Sequence, residues 1–221
     1  MAPTPARPRI HLNCAVSLDG RLAYAGGRRA LLSGPQDLAR VQGLRASLDA
    51  ILVGVGTVIA DDPSLRVHWD LLGKAPGRSP LRVVLDASGR TPPTARVLDG
   101  SQPTLLVTSV DSRREYPVPV EVFRAGTDRV DLPELLEELV RRGIRSLLVE
   151  GGSEVLASVL RAGLVDELTV FVAPVVIGGR TAPTMVAGAE TVDTAGAVRL
   201  RRGAAVSLDD GFLLSYTAAG P

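Results

Sequence analysis

The sequence has few of the side chains from which many enzymes build a reactive centre. Its 221 residues include one cysteine, Cys14, and two histidines, His11 and His68. One cysteine excludes an internal disulfide framework and a zinc site built on several cysteines, and two histidines are too few for a histidine-rich metal centre. The single lysine, Lys74, leaves almost no candidate for Schiff-base chemistry. If the protein is an enzyme, we therefore expect a cofactor to supply its reactivity, without a metal ion.

A strong charge imbalance and long apolar runs are also missing. The 25 basic and 24 acidic side chains leave a formal charge of +1, which gives no electrostatic case for binding nucleic acid or an anionic membrane. No apolar run approaches the roughly 18 residues that a transmembrane helix needs. The proline- and arginine-rich start lacks the apolar core of a signal peptide. We therefore predict a cytoplasmic protein with a disordered leader at residues 1–9 and a single domain at 10–221.

The chain does have enough apolar residues to form a core. They make up 45% of the sequence, and aromatics only 3%, so Val, Leu, Ile and Ala must fill that core. Strand-like and helix-like segments alternate, which predicts an α/β fold with a mostly parallel sheet. Strands are predicted at 10–16, 50–53, 81–86, 104–108, 118–123, 146–149 and 167–172. Helices are predicted at 35–46, with Gly34 or Ser33 as cap, at 132–142, capped by Asp131, and at 153–162. The pattern of 198–206 and 211–216 predicts an antiparallel hairpin across the Asp-Asp-Gly at 209–211.

Two strand–glycine–helix junctions are the clearest candidate ligand sites. They lie at residues 51–57 (Ile-Leu-Val-Gly-Val-Gly-Thr) and 147–154 (Leu-Leu-Val-Glu-Gly-Gly-Ser-Glu). Glycines at the carboxyl end of a buried strand let backbone N–H groups approach a phosphate, and the following helix N-terminus adds partial positive charge. The second junction is the better dinucleotide candidate, because Ser153 adds a hydroxyl. Neither is a GxGxxG or a Walker loop, and ordinary tight turns explain the glycines equally well.

Polar residues near these junctions have two readings each. Thr57 and Asp61 are four residues apart, so one helix face would present both to a ribose or nicotinamide group; the alternative is a capped helix with its acid in solvent. Arg45 either binds a substrate phosphate or complements the end of its helix. Glu150 ends an apolar strand, where its carboxylate either accepts hydrogen bonds from a polar ligand or caps a neighbouring helix; the ligand role is favoured because an unpaired buried carboxylate is costly. Asp19 lies in an ordinary Asp-Gly turn.

Six blocks of sequence, in order, resemble the riboflavin-biosynthesis reductases. Residues 13–23 match the signature N-x-A-x-S-L-D-G-K/R-x-A of that family. Further blocks that resemble it are 44–45 with 49–57, then 61–65, 80–86 and 149–152, and finally 163–167 with 173–174 and 177–179. The resemblance extends from about residue 10 to about residue 216.

This resemblance implies a dihydrofolate-reductase-like fold: a mixed, mostly parallel sheet with helices on both faces and a C-terminal antiparallel hairpin. It also implies a homodimer that uses NADPH to reduce a ribosylamino-pyrimidinone 5′-phosphate to its ribitylamino form, by hydride transfer to C1′ of the ribose. Bifunctional relatives carry a zinc deaminase with H-x-E and P-C-x-x-C patterns, which these residues lack. The chain therefore resembles the stand-alone reductase, whose substrate is the 2,5-diamino compound.

Family positions also imply site residues. Arg45, Leu65, His68 and Glu150 would bind substrate; Glu150 would orient it, and Asp19 is a candidate for proton delivery, a role that water could also fill. The cofactor side would comprise Ala15, Thr57, Asp61, Gly151, Gly152, Ser153, Glu154, Val155 and Leu156.

The chain departs from the family pattern at several positions. Arg66 and His68 replace the threonine and arginine of a common L-T-x-R, and Leu31 stands where bifunctional relatives often have an aromatic. Arg29 is either a further phosphate ligand or an exposed arginine. Two other functions remain open: a dihydrofolate- or pterin-type reductase on the same fold, and a non-catalytic nucleotide-binding protein.

Overall fold

The computed structural model describes residues 7–116, 120–188, 191, 193 and 196–219. The chain divides into two compact units, which are described in turn. The first comprises residues 1–9 and 42–148, and the second comprises residues 10–41 and 149–221. Most of the predicted disordered leader, residues 1–6, lies outside the described residues, and Arg9 already belongs to a strand.

The described residues contain four α-helices and nine strands. The helices are α1 (Pro35–Ser47), α2 (Val55–Asp61), α3 (Leu132–Arg141) and α4 (Ser153–Arg161). The strands are β1 (Arg9–Ser17), β2 (Ala50–Gly54), β3 (Leu81–Leu85), β4 (Thr104–Thr108), β5 (Glu121–Arg124), β6 (Ser146–Gly151), β7 (Glu167–Ala173), β8 (Leu200–Leu208) and β9 (Gly211–Ala218). For the strand predicted at 118–123, residues 118 and 119 lie outside the described part, and β5 covers its second half.

The first unit contains a parallel ladder in the order β5-β4-β3-β2. Every residue of β2 and β4 is buried, as expected for apolar strands covered on both faces. Their side chains join a core that includes Ile51, Val53, Val84, Leu106 and Leu148. Strand β3 is apolar except at Arg82, whose charged side chain is fully buried.

In the second unit, a parallel pair is extended by antiparallel strands. Strand β1 pairs in parallel with β7, β7 pairs antiparallel with β9, and β9 pairs antiparallel with β8. The last two strands form the predicted hairpin, joined by Asp209 and Asp210. Asp209 has a φ of +49°, as the first position of a tight hairpin turn often does. The predicted fold class, a mixed and mostly parallel sheet with helices and an antiparallel C-terminal hairpin, is confirmed.

The first turns of α3 and α1 are capped in different ways, one by a residue adjacent in sequence and the other by a distant residue. Helix α3 is capped as predicted, because the Asp131 side chain accepts a hydrogen bond from the Glu134 N–H. Helix α1 is not capped by Ser33, whose hydroxyl donates to Asp37 instead. Its first turn is capped from the hairpin: the Asp209 carboxylate accepts from Gln36 N at 3.0 Å and Asp37 N at 2.9 Å. No helix among the described residues is both long and apolar enough to span a membrane.

Candidate active site

The first glycine junction carries Thr57 and Asp61 on one short helix. Strand β2 ends at Gly54 and α2 follows directly, without a side-chain cap. Thr57 is half-buried and Asp61 is exposed, and both belong to α2, so the predicted four-residue spacing on a helix is present. The helix ends at Asp62, which has a φ of +40° and whose carboxylate accepts from Arg96 N at 2.8 Å.

The segment after α2 contains two predicted substrate residues, Leu65 and His68. Leu65 is buried and has a φ of +52°, a left-handed conformation that is rare for a branched apolar residue. A guanidinium N–H of Arg45 donates to the Arg66 carbonyl at 3.2 Å, and the His68 N–H donates to Gln42 Oε1 at 2.9 Å. The structure therefore brings Arg45 against the segment that carries Leu65 and His68.

Arg66, which departs from the L-T-x-R pattern of the family, is held in an ion pair. Its guanidinium bonds to Asp99 Oδ2 at 2.5 Å and to Ser101 Oγ at 3.0 Å. Partial burial would raise the pKa of Asp99, but hydrogen bonds from Ser101, Arg82 and Arg66 outweigh it and hold that pKa well below its usual range. A carboxylate that stays ionised at neutral pH keeps Arg66 engaged.

Sequence reasoning missed Arg82, which makes one of the densest sets of contacts near this segment. Its guanidinium donates to Thr104 Oγ1 at 2.8 Å, to Asp99 Oδ1 at 3.1 Å and to the backbone carbonyls of Ser64, Arg96 and Gln102. The available signal was an arginine inside an otherwise apolar strand, since a buried charge must be paired.

The second glycine junction lies in the second unit, where β6 ends. Glu150 is half-buried and the next residue, Gly151, is buried. Gly152 adopts a φ of +84°, which favours glycine, and forms the N-cap of α4 without any side-chain hydrogen bond to the helix. Two of the predicted cofactor residues, Val155 and Leu156, have buried side chains.

Asp19 is an anchor between two loops. Its carboxylate accepts from Ser17 Oγ at 2.7 Å, from Ile177 N at 3.0 Å and from Gly178 N at 2.7 Å. These bonds lower the pKa of Asp19 from 3.8 to about 2, with the Ser17 hydroxyl contributing most. The Asp19 carboxylate therefore holds the loop after β7 against the turn after β1, and its role in proton delivery stays a prediction.

A small cavity of about 150 Å³ brings together three residues singled out in the sequence: Ala15, Arg29 and Leu31. Arg29 and Leu31 are both exposed at its rim. Beside Ala15, Cys14 is a small buried residue of the core, and its burial raises the pKa of the thiol to about 12. Among the described residues there is no group of three or more His, Cys, Asp or Glu side chains suited to a metal ion.

A buried polar network in the second unit was also missed by sequence reasoning. Arg40 donates to Asn13 Oδ1 and to Asp37 Oδ1, both at 2.8 Å, and Thr169 Oγ1 donates to Asn13 Oδ1 at 2.8 Å. Asn13 opens the block that contains Ala15, and its side chain links β1 to Thr169 of β7 and to Arg40 of α1. Asn13 stood in the signature, but nothing in the sequence showed that Arg40 would reach it.

Comparison with known proteins assigns the chain to a family. A model of the RibD C-terminal domain matches residues 8–214. The chain belongs to the RibD C-terminal domain family. It is 44% identical over 218 residues to the 2,5-diamino-6-ribosylamino-4(3H)-pyrimidinone 5′-phosphate reductase of Methanothermobacter thermautotrophicus, covering 97% of this chain and 100% of that protein. It is 39% identical over 187 residues to the riboflavin biosynthesis protein RibD of Bacillus amyloliquefaciens, covering 82% of this chain but 49% of that protein.

Solved structures of RibD-type proteins share the fold. A Thermotoga maritima protein named as a deaminase and 5-amino-6-(5-phosphoribosylamino)uracil reductase matches with a TM-score of 0.83 and 27% identity, over 96% of this chain and 57% of that one. The riboflavin biosynthesis reductase Rib7 of Saccharomyces cerevisiae matches in fold with a TM-score of 0.76 and 23% identity, over 99% of this chain and 93% of that one. The family resemblance and the dihydrofolate-reductase-like fold expected from it are confirmed. The individual site residues stay predictions.

Proposed function

We propose that this chain is a reductase that uses NADPH to convert 2,5-diamino-6-ribosylamino-4(3H)-pyrimidinone 5′-phosphate to its ribitylamino product. The observation that carries the proposal is the 44% identity, over the full length of the relative, to a protein named as the reductase of that substrate. The 49% coverage of a bifunctional relative favours the reductase reaction alone as the activity of these residues.

The residues at the second glycine junction fit a nucleotide cofactor. Gly151 and Gly152 present backbone without side chains, and the N-terminus of α4 adds partial positive charge where a pyrophosphate would bind. We assign cofactor contacts to these glycines, to the following residues Ser153, Glu154, Val155 and Leu156, and to Ala15, Thr57 and Asp61. When bound, NADPH supplies the hydride, and the protein supplies position and electrostatics.

The remaining residues would bind and orient the substrate. Arg45 provides a half-buried cation for the 5′-phosphate, close to the segment that carries Leu65 and His68. Glu150 would accept hydrogen bonds from the substrate at the end of β6. Asp19 would hold the loop at Ile177 and Gly178 in place, and either Asp19 or water would deliver the proton.

We also propose that the protein forms a homodimer. Strand β8 has seven exposed residues out of nine, although one side of it pairs with β9. A long exposed edge strand invites pairing with another chain, and a second copy is the partner that the family resemblance implies. Light scattering on the eluting protein should give twice the mass of one chain; a monomeric mass across the micromolar range would rule the dimer out.

The decisive experiment is NADPH oxidation, followed by nicotinamide absorbance, with three substrates: the diamino compound, its deaminated counterpart and dihydrofolate. We expect turnover with the diamino compound at the highest kcat/KM. Preference for dihydrofolate would support the pterin-type reductase, and NADPH binding without turnover on any substrate would support a non-catalytic nucleotide-binding protein.

A substitution at the second glycine junction tests the cofactor assignment. Gly151→Asp introduces a side chain and a negative charge at the junction and should abolish NADPH binding while the fold is retained. Undiminished NADPH affinity in a titration of the folded variant would show that the junction does not hold the cofactor.

A further inference from the structure

The guanidinium of Arg82 lies near the proposed substrate residues but has no role in the function proposed above. Its side chain is 0% exposed, yet it lies on a strand whose neighbours are apolar. It donates to oxygen atoms of residues on several segments, and one of them is the carbonyl of Ser64, at 3.2 Å. A buried cation of this kind rigidifies whatever it binds, because its donors must all remain paired.

Asp99 and Gln102 extend the same contacts to the next residues of the segment. Asp99 accepts from Arg82 through Oδ1 at 3.1 Å and from Arg66 through Oδ2. The Gln102 side-chain amide donates to the Leu65 carbonyl at 3.4 Å, while the Gln102 carbonyl accepts from Arg82 at 2.7 Å. Three consecutive residues, Ser64 to Arg66, are thereby tied to one buried guanidinium and its counter-charge.

The residue at the centre of this arrangement has an unfavourable backbone conformation. Leu65 has a φ of +52° and its side chain is 2% exposed. A left-handed conformation is disfavoured for leucine, and such residues persist only where their surroundings hold them. Strain of this kind concentrates at ligand-binding segments, and Leu65 is one of the residues assigned to the substrate above.

We propose that Arg82 and Asp99 are positioning residues, which hold Leu65 in its left-handed conformation and so keep the segment from Ser64 to His68 competent to bind the phosphorylated substrate. The inference rests on the proposed function for the identity of the substrate. It adds two residues that touch neither cofactor nor substrate. It also gives Arg66 a structural role, because its guanidinium is held by Asp99 and Ser101.

The test is Asp99→Asn, since loss of the buried Arg82 itself could prevent folding. Asparagine keeps an oxygen for Arg82 and Ser101 but turns an amide N–H₂ toward Arg66 and removes the counter-charge. If the segment is then competent for only about a tenth of the time, the apparent affinity falls by the same factor. We expect KM for the diaminopyrimidine phosphate to rise about tenfold, kcat to change by less than about twofold, and the NADPH dissociation constant to stay the same.

Glu138→Gln is the matched control. Glu138 also accepts from two arginines, Arg141 and Arg142, and its side chain is 10% exposed against 29% for Asp99. It lies on α3 and has no assigned role in the site. The control should lower thermal stability at least as much as Asp99→Asn does, and leave KM unchanged.

Amide hydrogen exchange supplies a readout that does not depend on the reaction. Amides of residues 64–68 should exchange faster in Asp99→Asn and at the wild-type rate in Glu138→Gln. Unchanged exchange in this segment, faster exchange with an unchanged KM, or an equal rise of KM in the control would each overturn the positioning role. If the wild type does not turn over the diamino substrate, the proposed function fails, and exchange alone then decides whether Asp99 holds the segment.

Discussion

The cap that the C-terminal hairpin places on α1 gives the sharpest stability prediction. Asp209 supplies both hydrogen bonds to the first turn, at Gln36 N and Asp37 N, from a residue with a φ of +49°. Removing a side-chain cap costs about 1 kcal/mol, and the lost anion at the helix N-terminus adds up to about 1 kcal/mol. An alanine at a left-handed position adds about another 1 kcal/mol.

Three variants of Asp209 distinguish the contributions of the side-chain cap, the negative charge and the backbone conformation. Asp209→Ala loses all three contributions, so we expect a loss of about 2 to 3 kcal/mol in the free energy of unfolding. Asp209→Gly loses the cap but relaxes the backbone, and should lose about 1 kcal/mol less than alanine. Asp209→Asn keeps an acceptor and tolerates the left-handed conformation, so it should remain within about 1 kcal/mol of wild type.

The assay is urea denaturation followed by circular dichroism, with Asp210→Ala, the exposed neighbour in the same turn, as the matched control. A double-mutant comparison with Gly34 tests the same contact, because a Cβ added at Gly34 would lie 2.5 Å from Asp209 Cγ. Gly34→Ala should destabilise the wild type but be better tolerated beside Asp209→Gly. If Asp209→Ala unfolds at the same urea concentration as Asp210→Ala, the cap is not a significant contribution.

Because the folded-state pKa of Asp19 is lowered from 3.8 to about 2, its ionisation stabilises the fold above about pH 4, and that contribution is lost as pH falls toward 2. Asp19→Asn should therefore be less stable than wild type at pH 7, with a difference that narrows in urea denaturation at lower pH; a gap that is constant with pH would contradict this. Burial raises the pKa of Cys14 to about 12, so the folded protein should resist iodoacetamide at pH 8 and the urea-unfolded protein should react; rapid labelling of the folded protein would refute burial. Arg45→Ala should raise KM for the phosphorylated substrate by about tenfold or more, as expected for a lost charge-assisted contact, and leave kcat near wild type; an unchanged KM would remove Arg45 from the phosphate site.

The fold could be predicted because its signals are local. An apolar run such as Ile51–Val53 is a buried strand wherever it packs, and Asp131 caps a helix that begins at the next residue. The cap on α1 could not be predicted in this way, since Asp209 and Asp37 are 172 residues apart in the chain. Gly34 does take the N-cap position, where its carbonyl accepts from Leu38 N, but it has no side chain to bind the first-turn amides, and Ser33 bonds to Asp37 instead.

The candidate site likewise has features that short stretches of sequence predict and features that depend on contacts between distant residues. The glycine junctions and the spacing of Thr57 and Asp61 follow from short stretches of sequence. Asp19 looked like an ordinary turn residue, because its partners Ile177 and Gly178 are 158 and 159 residues away. Arg82 likewise gives a sequence-level signal that it needs partners, but only the fold shows that one of them is the Ser64 carbonyl.

The anchor at Asp19 also constrains how this protein can vary and be redesigned. The Asp19 carboxylate joins the turn after β1 to the loop after β7, because it accepts hydrogen bonds from two backbone amides of that loop at 3.0 Å or less. An insertion in either segment would displace it from the other and break these hydrogen bonds. We therefore expect the lengths of the two segments to vary together among related proteins. A chimera that borrows residues 17–21 from a relative should also borrow residues 174–179.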